Sequence, residues 1–316
     1  MGKQNVLLLE TIAESAHSLL EQHGQVFLAD SPYSGGEIAA QHPIHAIVTR
    51  GKGDVSQQLI DQCPDLKVIA RCGVGLDNVD VPHATKKGVK VLNTPGANAA
   101  TVAEHTIALM LMLQRHLYQS VQAVKANDWG YRTQYQGDEL NGKRLGILGL
   151  GNIGSRVAQI AQALGMEVVS WEANRRKATP YQRLALEPLL QQSDVISLHL
   201  PLEKATHHLI GAKELETLSD NALIINTSRG AIIDEKALTI ALQERKIGGF
   251  AADVLETEPP VPDHPLLQMP NVLITPHSAS LTATTYEQMC MTSVQNVIDL
   301  LDGKAIDKKY IFNFKP

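Results

Sequence analysis

The segment Leu145-Gly-Ile-Leu-Gly149-Leu-Gly151-Asn-Ile-Gly154-Ser-Arg-Val-Ala158 runs from an apolar strand through a glycine-rich turn into a helix. The three glycines of the turn differ in what they allow. Gly149 permits a tight turn, Gly151 lets backbone approach a pyrophosphate, and Gly154 lets helix and strand pack closely. The helix that follows offers unpaired N–H groups and the positive end of its dipole to phosphates. Alone, the pattern also fits an ordinary turn with packing glycines. Its surroundings favour a dinucleotide, because the next strand ends at Glu172, where a carboxylate can hold the adenine ribose diol. Arg175, Arg176 and Lys177 follow, either as surface charge or as partners of a 2′-phosphate. Glu172 would repel such a phosphate, so NAD is expected ahead of NADP.

Outward from this loop, short β-branched runs alternate with helical patterns, the signature of βαβ units and parallel sheets. Five strands precede it, at Val6–Leu9, Val26–Ala29, Ala46–Thr49, Lys67–Arg71 and Val89–Leu92. The second set reads Leu145–Leu148, Glu167–Trp171, Asp194–Leu198, Leu223–Asn226, Phe250–Ala252 and Val272–Thr275. The expected class is α/β with two doubly wound domains. One helix, Ala100 to Lys125, is apolar on most faces and is expected to lie buried between the domains. Residues 282–316 hold one last helix, too little for a domain, which is expected to return to the first. The expected boundaries are therefore 1–99 and 282–316 for one domain and 100–281 for the other.

Composition narrows the partners. The 316 residues carry a net charge of -5 and a hydrophobic fraction of 44%. Nothing basic is in excess to neutralise a nucleic-acid backbone. The longest apolar stretch, Ile107 to Leu113, is far short of the ~20 residues that cross a bilayer. The amino terminus has too short an apolar run for a signal peptide. Cys63, Cys72 and Cys290 form no CxxC or Cys/His cluster, which fits a reducing compartment and leads us to expect a cytoplasmic protein without a metal site. His207-His208 is expected at the surface with its rings diverging.

Three later segments end strands with groups suited to hydride transfer at a carbonyl. Arg229, after Leu223–Asn226, can grip a carboxylate through two parallel hydrogen bonds. Asp253 and Glu258 follow Phe250–Ala252, and His277 follows Val272–Thr275 behind Pro276. Each alone fits a structural ion pair, a solvated acid or a structural histidine. Together they supply what reduction of a 2-keto acid needs: a cation for the carboxylate and a proton donor for the developing alkoxide. A histidine beside a carboxylate can serve as that donor near neutral pH, which makes Glu258 the expected partner of His277. Asp253 is placed to receive a nicotinamide amide.

At these residues the chain resembles the D-isomer-specific 2-hydroxyacid dehydrogenases. The likeness runs through Arg71-Cys-Gly-Val-Gly-Leu-Asp77-Asn-Val-Asp80, Asn93-Thr-Pro-Gly96-Ala-Asn98, Val102-Ala-Glu104-His105, the glycine loop and His199-Leu-Pro-Leu. It continues through Asn226-Thr-Ser-Arg-Gly, Asp253-Val-Leu-Glu with Glu258-Pro, and Thr275-Pro-His277. The resemblance implies a Rossmann NAD-binding domain inserted in a flavodoxin-like substrate domain. It implies that Arg229 and Glu258 assist His277 as proton donor. It implies NAD contacts at Asn152, Ile153, Glu172, Leu200, Pro201, Thr206, Thr227, Ser228, Arg229 and Asp253, and a substrate carboxylate held by Gly73, Val74 and Gly75. It also implies a homodimer. Glu172 departs from the commoner aspartate, keeping the carboxylate while lengthening its reach.

The acid itself is harder to read. Arg50 and Lys52 resemble the cations with which phosphoglycerate dehydrogenases meet a distal phosphate, and they also fit solvated loop charges. They put 3-phosphoglycerate first, with glyoxylate, hydroxypyruvate and D-lactate open. A non-catalytic NAD-sensing corepressor would share the fold and the catalytic residues, but such proteins carry long tails that this chain is expected to lack. Formate dehydrogenases place glutamine where Glu258 stands.

Overall fold

A computed structural model of the chain describes residues 4–172 and 178–314. The chain divides into two compact units, Met1–Asn98 with Leu281–Pro316, and Ala99–Ser280.

The first unit is built on a five-stranded parallel sheet: β1 (Gln4–Leu8), β2 (Gly24–Leu28), β3 (Ala46–Thr49), β4 (Val68–Arg71) and β5 (Lys90–Leu92). Its order is β2-β1-β3-β4-β5, the flavodoxin-like arrangement. Side chains alternate across a strand, so the run Val6 to Leu9 feeds two cores. Val6 and Leu8 face the helices Glu14–His23 and Ala283–Leu301 through Leu20, Cys290, Val294 and Val297. Leu7 and Leu9 pack on the other side with Leu59, Ile60 and Ala84. Burial on both faces explains why β1 and the residue after it, Val6 to Leu9, read as an unbroken apolar run.

The second unit holds seven parallel strands: β6 (Arg144–Leu148), β7 (Glu167–Trp171), β8 (Gln182–Arg183), β9 (Val195–Leu198), β10 (Leu223–Asn226), β11 (Gly249–Ala252) and β12 (Val272–Ile274). The order β12-β11-β10-β9-β6-β7-β8 is that of a Rossmann sheet with one further strand. Strand direction of travel reverses between β6 and β9, and ligands of such sheets bind at that switch point, beyond the strand carboxyl ends. Sequence pattern did not reveal β8. It is two polar residues long, pairing Val169 with Gln182 and Ser170 with Arg183.

The expected long helix is two helices, Ala99–Gln114 and Leu117–Lys125. His116 adopts φ +47 and breaks the run, and the Tyr135 hydroxyl donates to the Arg115 carbonyl (2.6 Å) at the break. The first helix is buried in the second unit through Ala103, Ile107, Met110 and Leu113. The second buries nothing. Among the described residues no helix is long and apolar enough to cross a membrane.

Candidate active site

The turn after β6 is shaped by its glycines. Gly149 sits at φ +98 and donates its N–H to the Trp171 carbonyl (2.9 Å). A Cβ there would lie 2.5 Å from the His199 carbonyl oxygen, and one on Gly154 would collide with the Gly149 carbonyl. Gly151 differs: a Cβ would meet nothing within 4 Å. It N-caps the helix Asn152–Ala163, whose first turn has no side-chain cap. Gly151 and Asn152 are exposed, so this bare backbone and the helix N-terminus fit a pyrophosphate.

Glu172, just past β7, meets Arg183 of β8, Nη2 to Oε2 at 2.8 Å. The expected ribose acid therefore has a cationic neighbour that sequence spacing gave no reason to pair with it. Arg175, Arg176 and Lys177 lie outside the described residues.

The remaining expected cofactor residues line the ends of β9 and β10. Leu200 is buried and Pro201 exposed. The Thr206 hydroxyl donates to the Pro201 carbonyl (2.6 Å) and accepts from the Glu203 N–H (2.8 Å), closing that loop on itself. After β10, Asn226 governs the turn. Its Oδ1 accepts from the N–H and hydroxyl of Ser228 (3.0 and 2.8 Å), and its Nδ2 donates to the Arg229 carbonyl (2.9 Å). The Thr227 and Thr106 hydroxyls are 2.8 Å apart, and Thr106 gives its proton to the Val102 carbonyl. Thr227 is therefore the donor between them.

Arg229, Glu258 and His277 come together in the second unit. Glu258 Oε2 lies 2.7 Å from His277 Nδ1, and Oε1 accepts the Leu255 N–H (3.0 Å). A carboxylate accepts, so Nδ1 carries its proton and the ring's working atom is Nε2. Burial pushes the Glu258 carboxyl up, but the His277 hydrogen bond, the Leu255 N–H and the charges of His277 and Arg229 outweigh it and hold Glu258 below its ordinary value. Arg229 is anchored in part by its own turn, Nη1 donating to the Ser228 carbonyl (2.6 Å).

His277 adopts φ +53, a conformation non-glycine residues enter at a cost. What holds it there is Asp253, which is 2% exposed. Asp253 Oδ1 accepts from the Thr275 hydroxyl (2.5 Å) and the Ser278 N–H (2.9 Å), and Oδ2 from the Ala279 N–H (2.8 Å). The acid thus grips the chain on both sides of His277. Because Thr275 gives its one proton to Asp253, His105 Nε2, 2.9 Å from Thr275 Oγ1, is the donor to it. Sequence reasoning assigned Asp253 to the cofactor and missed this supporting role, and it gave His105 none.

In the first unit, the Arg50 guanidinium donates to the Tyr286 hydroxyl (3.0 Å) and the Thr11 carbonyl (3.3 Å) and lies over the Tyr286 ring. The loop it begins is organised by an unforeseen acid. Glu10 Oε2 accepts the N–H groups of Arg50, Gly51, Lys52 and Gly53 and the Thr49 hydroxyl, all at 2.9–3.1 Å. The Lys52 residue is exposed. In the expected carboxylate loop, Gly73 at φ +153 spends its N–H on the Arg71 carbonyl (2.8 Å). The Thr94 N–H and Asn93 Nδ2 hold the carbonyls of Gly73 and Val74 (2.8 and 2.7 Å), fixing the turn into Gly75.

A further expectation is overturned. The His207 and His208 rings do not diverge: their centroids are 4.0 Å apart, because His208 adopts φ +50 rather than an extended or helical conformation.

Residues 107–279 match the family model described as D-isomer specific 2-hydroxyacid dehydrogenase, NAD binding domain. The chain belongs to the D-isomer specific 2-hydroxyacid dehydrogenase family. It is similar to the glyoxylate reductase of Aeropyrum pernix, 37% identical over 96% of this chain and 95% of that protein. It is equally close, at 37% identity over 95% of its length, to the D-3-phosphoglycerate dehydrogenase of Archaeoglobus fulgidus, but spans only 58% of that relative. Among solved structures, a glyoxylate reductase from Paecilomyes thermophila superposes with a TM-score of 0.88 at 33% identity, covering 97% of this chain and 98% of its own. Membership in this dehydrogenase family makes the second unit an NAD-binding Rossmann domain.

Proposed function

We propose that the chain is an NAD-dependent dehydrogenase that moves a hydride between nicotinamide and C2 of a small D-2-hydroxy acid or 2-keto acid. The observation that carries this reading is the 2.7 Å pair of His277 and Glu258, with the charge of Arg229 acting on the same carboxylate. The bound cofactor supplies or accepts the hydride. His277, with Nδ1–H engaged by Glu258, gives the Nε2 proton to the carbonyl oxygen in reduction, and neutral Nε2 takes the hydroxyl proton in oxidation. Arg229 holds the substrate carboxylate and keeps the carbonyl oriented. Gly151, Asn152, Ile153 and Gly154 receive the pyrophosphate and Glu172 the ribose. Leu200, Pro201, Thr206, Thr227 and Ser228 complete the nucleotide site, and Asp253 positions His277. Val74 and Gly75 are assigned to the substrate carboxylate, while Gly73, whose N–H is engaged by the Arg71 carbonyl, shapes the turn.

For the acid, the partners of Arg50 favour a short unphosphorylated substrate of the glyoxylate or hydroxypyruvate kind. Its guanidinium is already committed to Tyr286 and Thr11. A phosphorylated acid such as phosphohydroxypyruvate is the second reading, supported by exposed Lys52. A panel of 2-keto acids with NADH and NADPH tests both. An Arg50→Ala, Lys52→Ala double variant that loses activity only on phosphorylated acids would reverse the preference. His277→Ala is expected to lower kcat by about 10²–10⁴ while NADH binding persists. Turnover within a few-fold of wild type would sink the assignment. Silence of the whole panel with NADH binding intact would point to a nucleotide-sensing protein.

A homodimer is the expected assembly. Leu117, Tyr118, Val121 and Val124 form an apolar stripe on their helix, 42–52% exposed, with Trp129 beyond it at 70%. Such a patch on a soluble chain marks an interface. Sedimentation of wild type against Val121→Glu, Val124→Glu tests it, a monomeric wild type counting against the dimer. The three free, buried thiols fit a reducing compartment such as the cytoplasm.

A further inference from the structure

His207 and His208 follow β9, and hydride transfer uses neither. Side chains of adjacent residues on extended backbone point to opposite faces. Here the left-handed turn at His208 sets both imidazoles on one side, tilted by 31° at 4.0 Å. The turn is fixed by the His208 N–H, which donates to the Ala231 carbonyl (2.8 Å). A third group arrives from the loop after β11: Glu256 Oε1 is 3.1 Å from His208 Nε2. One ligating atom from each of the three residues lies within 4.8 Å of the others. Among the described residues this is the one group of three His, Cys, Asp or Glu side chains gathered so closely.

We propose that His207, His208 and Glu256 bind one divalent transition-metal ion of the imidazole-preferring kind, represented by Zn²⁺. Two atoms each about 2.1 Å from a tetrahedral ion stand roughly 3.4 Å apart. The 3.1 Å pair is therefore almost at the required span, and His207 closes the set by side-chain rotation. Two imidazole nitrogens with one carboxylate suit zinc, copper or nickel, whereas magnesium and calcium prefer all-oxygen sites. Water completes the coordination, since His207 and Glu256 are open to solvent. The backbone that carries Glu256 is itself held in place. The Glu256 N–H donates to Glu235 Oε1 (2.5 Å), and Glu235 Oε2 pairs with His264 (3.4 Å).

The ion ties the loop after β9 to the loop after β11, which also carries Glu258. It leans on neither the proton transfer nor the nucleotide. A ligand held by the folded state alone raises the unfolding temperature by mass action.

The test is calorimetric titration of the EDTA-treated full-length protein with Zn²⁺, beside thermal unfolding with and without the metal. Wild type is expected to take one ion per chain with a dissociation constant on the order of micromolar, and its Tm to rise on loading. His207→Ala should weaken binding by at least about tenfold, and His207→Ala, His208→Ala should abolish both binding and the Tm rise. His277→Ala should leave both unchanged. Cu²⁺ bound in place of Zn²⁺ should show two imidazole nitrogens by electron paramagnetic resonance. Each variant is first checked for folding by NADH binding, and exposed His207 gives the safest single change. No uptake at millimolar Zn²⁺, or equal uptake by wild type and the double histidine variant, overturns the proposal. Loss of the site in His277→Ala does the same.

Discussion

Two glycine-bearing turns follow strands in this chain and treat their amides in opposite ways. After β3, Arg50-Gly-Lys52-Gly53 aims four N–H groups at one point, and Glu10 Oε2 already occupies it. After β6, the turn through Gly151 ends in a helix whose first turn has no side-chain cap, with the face of Gly151 bare. Both concavities suit an anion. One is a structural joint closed by the protein's own carboxylate, and the other is the turn proposed to take the nucleotide. What separates them is not glycine content but an acid 40 residues upstream of Arg50.

The comparison breaks first if the open turn is no nucleotide site. Gly154→Val drives a branched side chain into the Gly149 carbonyl, and NADH affinity by fluorescence titration should fall by about 100-fold or more, some 2.7 kcal/mol. Gly151→Ala separates binding from folding. Its methyl meets nothing within 4 Å, so Tm should hold while NADH affinity falls roughly tenfold as the backbone is kept from the pyrophosphate. Unchanged NADH affinity in both variants would end the distinction.

The closed turn is tested by emptying it. Glu10→Ala removes the acceptor for four amides and a hydroxyl, and denaturant unfolding should show a loss of about 2–4 kcal/mol, softened where water replaces the carboxylate. The vacated amides should then bind anions, so sulfate should raise the Tm of the variant more than that of wild type. A variant as stable as wild type would show that the joint holds nothing.

Acid sharpens the same contrast. Burial alone would raise the Glu10 carboxyl, but the amides of Gly53, Arg50 and Gly51 and the Thr49 hydroxyl hold it below its ordinary 4.5. The folded state therefore binds this proton less readily than the unfolded chain. The stabilisation is complete above the ordinary carboxylate range and is lost as pH falls through the lowered value. Stability measured against pH should show wild type and Glu10→Gln converging towards acid. A constant gap down to pH 3 would assign the Glu10 effect to something other than its charge.

These cases also show what the sequence could and could not carry. Apolar runs such as Val6–Leu9 marked strands because burial on both faces demands them, whereas β8 escaped because Gln182 and Arg183 are polar and few. The break at His116 turns on a single left-handed residue, which periodicity cannot register. The pairing of Glu258 with His277 was legible because both lie in loops that follow neighbouring strands, and the parallel order of β10, β11 and β12 carries those loops, with that of Arg229, to one edge. The supporting acids were not. Glu10, and Asp253 in its grip on Thr275, Ser278 and Ala279, act through contacts that only the folded chain creates.

The smallest expected effect lies at the far end of the open turn, where Glu172 and Arg183 meet at 2.8 Å. Both are partly buried, with side chains 16% and 25% exposed, so the pair is neither fully screened nor fully desolvated. With Glu172 as the proposed acceptor for the ribose of NAD, Arg183 steadies that carboxylate. For NADP, the same carboxylate repels the 2′-phosphate while Arg183 attracts it. The two side chains therefore push selectivity in opposite directions. Glu172→Gln should raise NADPH affinity and lower NADH affinity, each by about three- to tenfold. Arg183→Ala should cost both nucleotides, NADPH more, so that the affinity ratio shifts further towards NADH by roughly threefold. The ratio is the decisive quantity, since a merely structural pair would weaken both nucleotides alike. An Arg183→Ala ratio equal to that of wild type would leave the open turn reading only the pyrophosphate.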